Sequence, residues 1–239
     1  MKNLIKPTDK IIELFFVAWS STSDTEKKKW VKEIMTELEI ESKYSEYIYS
    51  IMKKSGNDDY KIKEVFEKYG NNSEDDVLYK VLILDKLYST QIVDPISIAG
   101  GILSIENIDN RLKDGDLSLV EEIEKCGNKR DEYSFATKYC SWSSGKYVMY
   151  DKIVGSLLWS YNKQYNFCNK FSLNSLRKYK NFFNIYHKFI RFCYPNKSND
   201  DYKKIDIFLW SYGKILDKEK RNSNNISPKH PITYNILLS

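Results

Sequence analysis

Two side chains near the middle of the chain are set up for chemistry by their neighbours. Asp151 directly precedes the apolar run from Ile153 to Trp159, which reads as a helix. A helix that opens on an aspartate has its first N–H groups capped and its positive dipole end satisfied. The same geometry fixes a carboxylate at a defined point beside a groove, so Asp151 reads either as a plain cap or as a site carboxylate. Lys138 lies among Phe135, Ala136, Tyr139, Cys140 and Trp142. A lysine on such a segment snorkels to solvent, pairs with an acid, or takes a site role near Asp151 or a phosphate.

Charge gives the second lead. Residues 163–204 carry ten Lys/Arg against Asp200 and Asp201, a net +8 in a chain whose total is +5. Such asymmetry suits a polyanion such as nucleic acid. Within it, Arg177, Lys180, Lys188 and Arg191 share one helix face with Asn181, Asn184 and His187, opposite the stripe Tyr179, Phe182, Phe183, Tyr186, Phe189, Ile190 and Cys193. No zinc spacing can be written from Cys126, Cys140, Cys168, Cys193, His187 and His230. No phosphate loop, dinucleotide fingerprint, nucleophile elbow or zinc-protease helix occurs. Neither a metal nor a cofactor is expected, and the cysteines read as reduced thiols of a cytoplasmic protein.

The string Phe135-Ala-Thr-Lys-Tyr139, a short loop, and Tyr147-Val-Met-Tyr-Asp151 resembles poorly characterised bacterial relatives of the helix-hairpin-helix DNA glycosylase superfamily. The resemblance implies an all-helical fold, DNA as partner, and excision of a base flipped out of the stack. It makes Asp151 the catalytic carboxylate that stabilises oxocarbenium character at the sugar. Lys129, Arg130 and Lys138 would bind phosphate or assist, Lys129 and Lys138 being the candidate amines. Tyr139, Trp142 and Tyr150 would line the base pocket. Two features depart from that family. The hairpin segment 126–131 holds one glycine, Gly127, and the lysine position about twenty residues before the aspartate falls on Glu132, with Lys129 nearest.

The elements that must hold these residues are helical. Few glycines and prolines, many long side chains and no period-two run favour an all-α fold of roughly ten helices. Starts are expected at Thr8-Asp9, Ser23-Asp24, Ser73 and Asp94-Pro95. The sequence Ser55-Gly-Asn-Asp58 reads as a breaker between two helices, and Gly100-Gly101 as a divider. The segment 77–89, apolar all round, is expected to be buried. The stretch 105–125 reads as two short helices joined by Asp114-Gly115-Asp116, and 173–193 and 201–216 as two more. Helices over 134–142 and 152–161 flank the turn Ser143-Ser-Gly-Lys146. The expected organisation is an N-terminal helical segment 1–72, a glycosylase-like core 73–217 and a polar tail 218–239. The apolar run 11–19 is shorter than the ~20 residues that span a bilayer, so no membrane partner is expected. The alternative is a non-catalytic helical protein that binds nucleic acid or protein.

Overall fold

In the computed structural model, residues 3–127, 131–195 and 202–223 are described, and among them every regular element is helical. Eleven α-helices follow in order: α1 Asp9–Ser20, α2 Asp24–Glu37, α3 Ser45–Lys68, α4 Glu74–Tyr88, α5 Pro95–Leu103, α6 Ile108–Asp114, α7 Ser118–Glu124, α8 Tyr133–Ser143, α9 Lys152–Tyr165, α10 Tyr179–Cys193 and α11 Tyr202–Ser223. The starts read from the sequence are true caps. Thr8, Ser23, Ser73, Asp94 and Asp151 each accept a first-turn backbone N–H, filling donors that a helix start leaves open. None of the helices among the described residues is long and apolar enough to cross a membrane.

The described residues fall into two compact units. The first takes those of 1–56, 151–176 and 184–239. There α1 packs on α2 and α11, and α11 on α9. Phe15 meets Phe208 edge-on at 5.4 Å, and Tyr161 meets Phe189 at 5.1 Å. The second takes 57–150 and 177–183, with α4 packed on α5 and α8, and α7 on α8. The polar stretch 70–76 lies inside this second unit.

Five expectations are corrected. Helix α3 runs unbroken through Ser55-Gly-Asn-Asp58. Gly56 serves close packing there: a Cβ would sit 2.8 Å from the Trp19 carbonyl oxygen. Helix α5 likewise passes through Gly100-Gly101, because a Cβ on Gly101 would come within 2.7 Å of Cys126 Cβ. Helix α4 is not buried all round. Val77, Val81 and Leu84 are buried, while Tyr79 and Leu82 remain 53% and 44% exposed. Residues 218–223, expected to begin a tail, continue α11. The 173–193 helix divides into a 3-10 turn at Asn174–Arg177 followed by α10.

Candidate functional site

Between α8 and α9 the chain runs without helix or strand, and side chains satisfy its backbone. Thr137 Oγ1 accepts the Tyr150 N–H at 3.0 Å. Tyr179 Oη accepts the Val148 N–H at 2.9 Å and donates to the Val148 carbonyl at 3.2 Å. Lys138 completes the arrangement. Its ammonium donates to the Tyr150 carbonyl at 3.0 Å, to Ser134 Oγ at 2.6 Å and to the Ser134 carbonyl at 3.2 Å. It also lies 5.3 Å from the centre of the Tyr88 ring. At 4% exposure Lys138 does not snorkel; it fastens Tyr150 to α8.

The next residue, Asp151, caps α9. Its Oδ1 accepts the Ile153 N–H at 2.7 Å, and its Oδ2 has no hydrogen bond among the described residues. The carboxylate is half-buried.

The three expected pocket residues differ in placement. Tyr139 is fully buried, and its hydroxyl donates to Asn71 Oδ1 at 2.6 Å. Tyr150 is buried between Tyr133 and Phe182, at ring distances of 4.8 and 5.2 Å. Both are core side chains, with no face left for a base. Trp142 is half-buried and donates through Nε1 to Tyr88 Oη at 3.1 Å. Lys129 and Arg130 lie outside the described residues.

The basic side chains have the opposite character. Arg177, Lys180, Lys188 and Arg191 are all exposed, as are Asn181 and Asn184. None of the four cations forms an ion pair among the described residues, although Arg177 lies 5.9 Å from the Tyr133 ring centre. Positions 180, 184, 188 and 191 repeat at helical spacing, so α10 presents one polar, positive side. His187 departs from that face: it is half-buried, with Nε2 2.8 Å from Tyr202 Oη. Lys204 is engaged elsewhere, pairing with Glu13 at 2.8 Å.

A polar cluster that the sequence reading did not single out sits inside the second unit. Lys80, 3% exposed, donates to Asn71 Oδ1 at 2.9 Å, the same oxygen that Tyr139 uses. Asn71 in turn donates through Nδ2 to Asp109 at 2.5 Å. The rings of Phe66 and Tyr139 flank the ammonium at 5.3 and 5.9 Å. Burial pulls the Lys80 amine down to about 8, against the opposing pull of Asp109 and Asp76. The signal was present in the sequence, since Lys80 falls on the same helical stripe as Val77, Val81 and Leu84.

Among the described residues the protein is all-helical, and α10 carries exposed cations that form no ion pair. A family model described as an N-terminal domain, HI_0787_N, matches residues 30–147. An uncharacterized protein of Haemophilus influenzae is 34% identical over 150 residues, which cover 61% of this chain and 70% of the relative. The chain belongs to this family. No solved structure matches it.

Proposed function

We propose that this protein binds nucleic acid, DNA in the first instance, through the positive side of α10 and Arg177 in the turn before it. The observation that carries the reading is the exposure of Arg177, Lys180, Lys188 and Arg191 with no acidic partner among the described residues. Side chains in that state exchange condensed counterions for phosphates, so affinity falls with salt. Four phosphate contacts correspond to a log–log slope of about −3.6, or roughly a 100-fold loss between 50 and 200 mM salt. The test is duplex binding by the full chain across that range, with Arg177, Lys188 and Arg191 replaced together by Glu. The variant should bind weakly to every sequence. Unchanged affinity would move the surface elsewhere, and no binding by the wild type at low salt would favour a protein-binding role.

A second reading rests on Asp151 Oδ2, which has no hydrogen bond among the described residues. A half-buried carboxylate held by its other oxygen suits stabilisation of a cationic sugar, and base excision is the reaction it would serve. Release of damaged or modified bases from duplexes, compared between wild type and Asp151→Asn, tests it. A wild type inert across such a panel leaves binding alone.

A further inference from the structure

Exposure of large apolar side chains is concentrated on one pair of helices. Among the described residues, Tyr79, Leu82, Val93, Ile96 and Leu103 are exposed on α4, on α5 or in the loop between them, and Tyr60 on α3 stands apart. One such residue needs no explanation, whereas a group of them marks a surface made to be covered.

On α4 the exposed residues follow a pattern. Asp75, Tyr79, Leu82 and Lys86 are exposed at steps of four, three and four, which places all four on a single stripe of a helix. The buried Val77, Val81 and Leu84 occupy the opposite side. The stripe has the spacing of a coiled-coil seam, apolar in the middle with an acid at its start and a base at its end. Neither Asp75 nor Lys86 forms an ion pair among the described residues. Helix α5, packed along α4, carries Ile96 and Leu103 exposed seven residues apart, on one side of that helix.

This stripe is complementary to itself. Two copies of α4 laid antiparallel about a two-fold axis, midway between positions 79 and 82, set Tyr79 of each against Leu82 of the other. Asp75 of each then faces Lys86 of the other. A parallel pair would instead set acid on acid and base on base. The antiparallel pair also brings the positive end of each helix beside the negative end of the other.

From this pattern we infer that the outer stripe of α4 is a homodimer interface, occupied by the same stripe of a second copy in antiparallel register. Such a contact is isologous, each residue being used on both sides of the axis. A helix of 15 residues makes a small interface, at or below the ~1,200 Å² of stable complexes. The dimer is therefore weak, with a Kd on the order of 10–100 μM. It uses the second unit alone and does not depend on what α10 binds.

The experiment is sedimentation velocity of the full chain from roughly 1 μM to 1 mM, where monomer should pass into dimer. Leu82→Glu, at an exposed position, should leave only monomer over that range with unchanged helical circular dichroism. Asp75→Lys and Lys86→Glu each set like charges face to face at both ends of the seam, and each should weaken self-association about tenfold at low salt. Mixed together, these two variants should form a heterodimer about as tight as the wild-type dimer, because each new charge then meets its opposite. A wild type that stays monomeric to about 1 mM overturns the dimer and leaves this face to a different protein. A dimer that survives Leu82→Glu, or a mixture that associates no better than either variant alone, overturns the α4 interface.

Discussion

Replacing Asp151 separates its two possible uses, because the cap and the charge can be removed independently. Asp151→Ala deletes the oxygen that accepts the Ile153 N–H at 2.7 Å. Losing such a cap costs about 1 kcal/mol, within a range of about 0.5–2. Asp151→Asn keeps an acceptor of the same length and loses only the charge facing the helix dipole, worth about 0.3–1 kcal/mol. For a chain of this size about 1 kcal/mol moves Tm by roughly 2–4 °C. Urea denaturation followed by circular dichroism should therefore order the proteins as wild type, Asn, Ala, with unequal steps. Activity should follow another order. If Asp151 stabilises a transition state, Asn and Ala should both cut excision by about 100-fold or more. Equal loss of stability in Asn and Ala would refute the cap argument. Full excision by Asp151→Asn would refute the charge argument.

Three further outcomes test the packing. Lys27 is buried and caps the end of α1, donating to the carbonyls of Ala18 at 2.7 Å and Trp19 at 2.9 Å. Lys27→Met should destabilise by about 1–2 kcal/mol, since two carbonyls lose their donor while a buried charge is relieved; an unchanged urea midpoint would contradict this. A Cβ on Gly213 would fall 2.2 Å from Ile153 Cγ2, so Gly213→Ala should cost about 1–3 kcal/mol in the same assay. Lys80 takes up its proton less readily folded than unfolded, so its burial penalty is full below about pH 8 and fades as pH rises towards 10.5. Its contribution should raise stability with pH across that window, by no more than about 1.4 kcal/mol per pH unit, and Lys80→Met should flatten the slope.

Local chemistry was readable and tertiary use was not. Caps are decided within four residues, which is why Thr8, Ser23, Ser73, Asp94 and Asp151 could be placed from sequence. Gly56 and Gly101 misled because their reason lies in Trp19 and Cys126, far away in the chain. A glycine that admits a neighbour and a glycine that ends a helix look the same in one dimension. Periodicity also overstated α4: valines and leucines on every side suggested full burial, but the packing of α5 and α8 covers only part of its circumference. At the candidate site, the capping role of Asp151 and the exposure of the α10 cations followed from pattern. The core positions of Tyr139 and Tyr150 did not, because an aromatic suited to a pocket is equally suited to a core. Lys138 stands out in the sequence, but its acceptors include two backbone carbonyls, and carbonyls leave no trace in composition.

The segment from Tyr147 to Tyr150 carries a consequence for which substitutions the family can accept. Its four side chains are buried and would pass as interchangeable apolar filler. The constraint on it lies in hydroxyls borne by other helices, Thr137 and Tyr179, which take the place a neighbouring strand would occupy. Isosteric losses there, Thr137→Val or Tyr179→Phe, keep shape and add hydrophobicity yet strand a peptide group in the interior. Selection at 137 and 179 should therefore retain an oxygen, as it should at Tyr147, whose hydroxyl donates to the Arg111 and Asp116 carbonyls, while Val148 drifts among apolar types. The Val148 amide should gain protection from hydrogen exchange only once residues 31 positions apart have met, making it a late reporter of assembly.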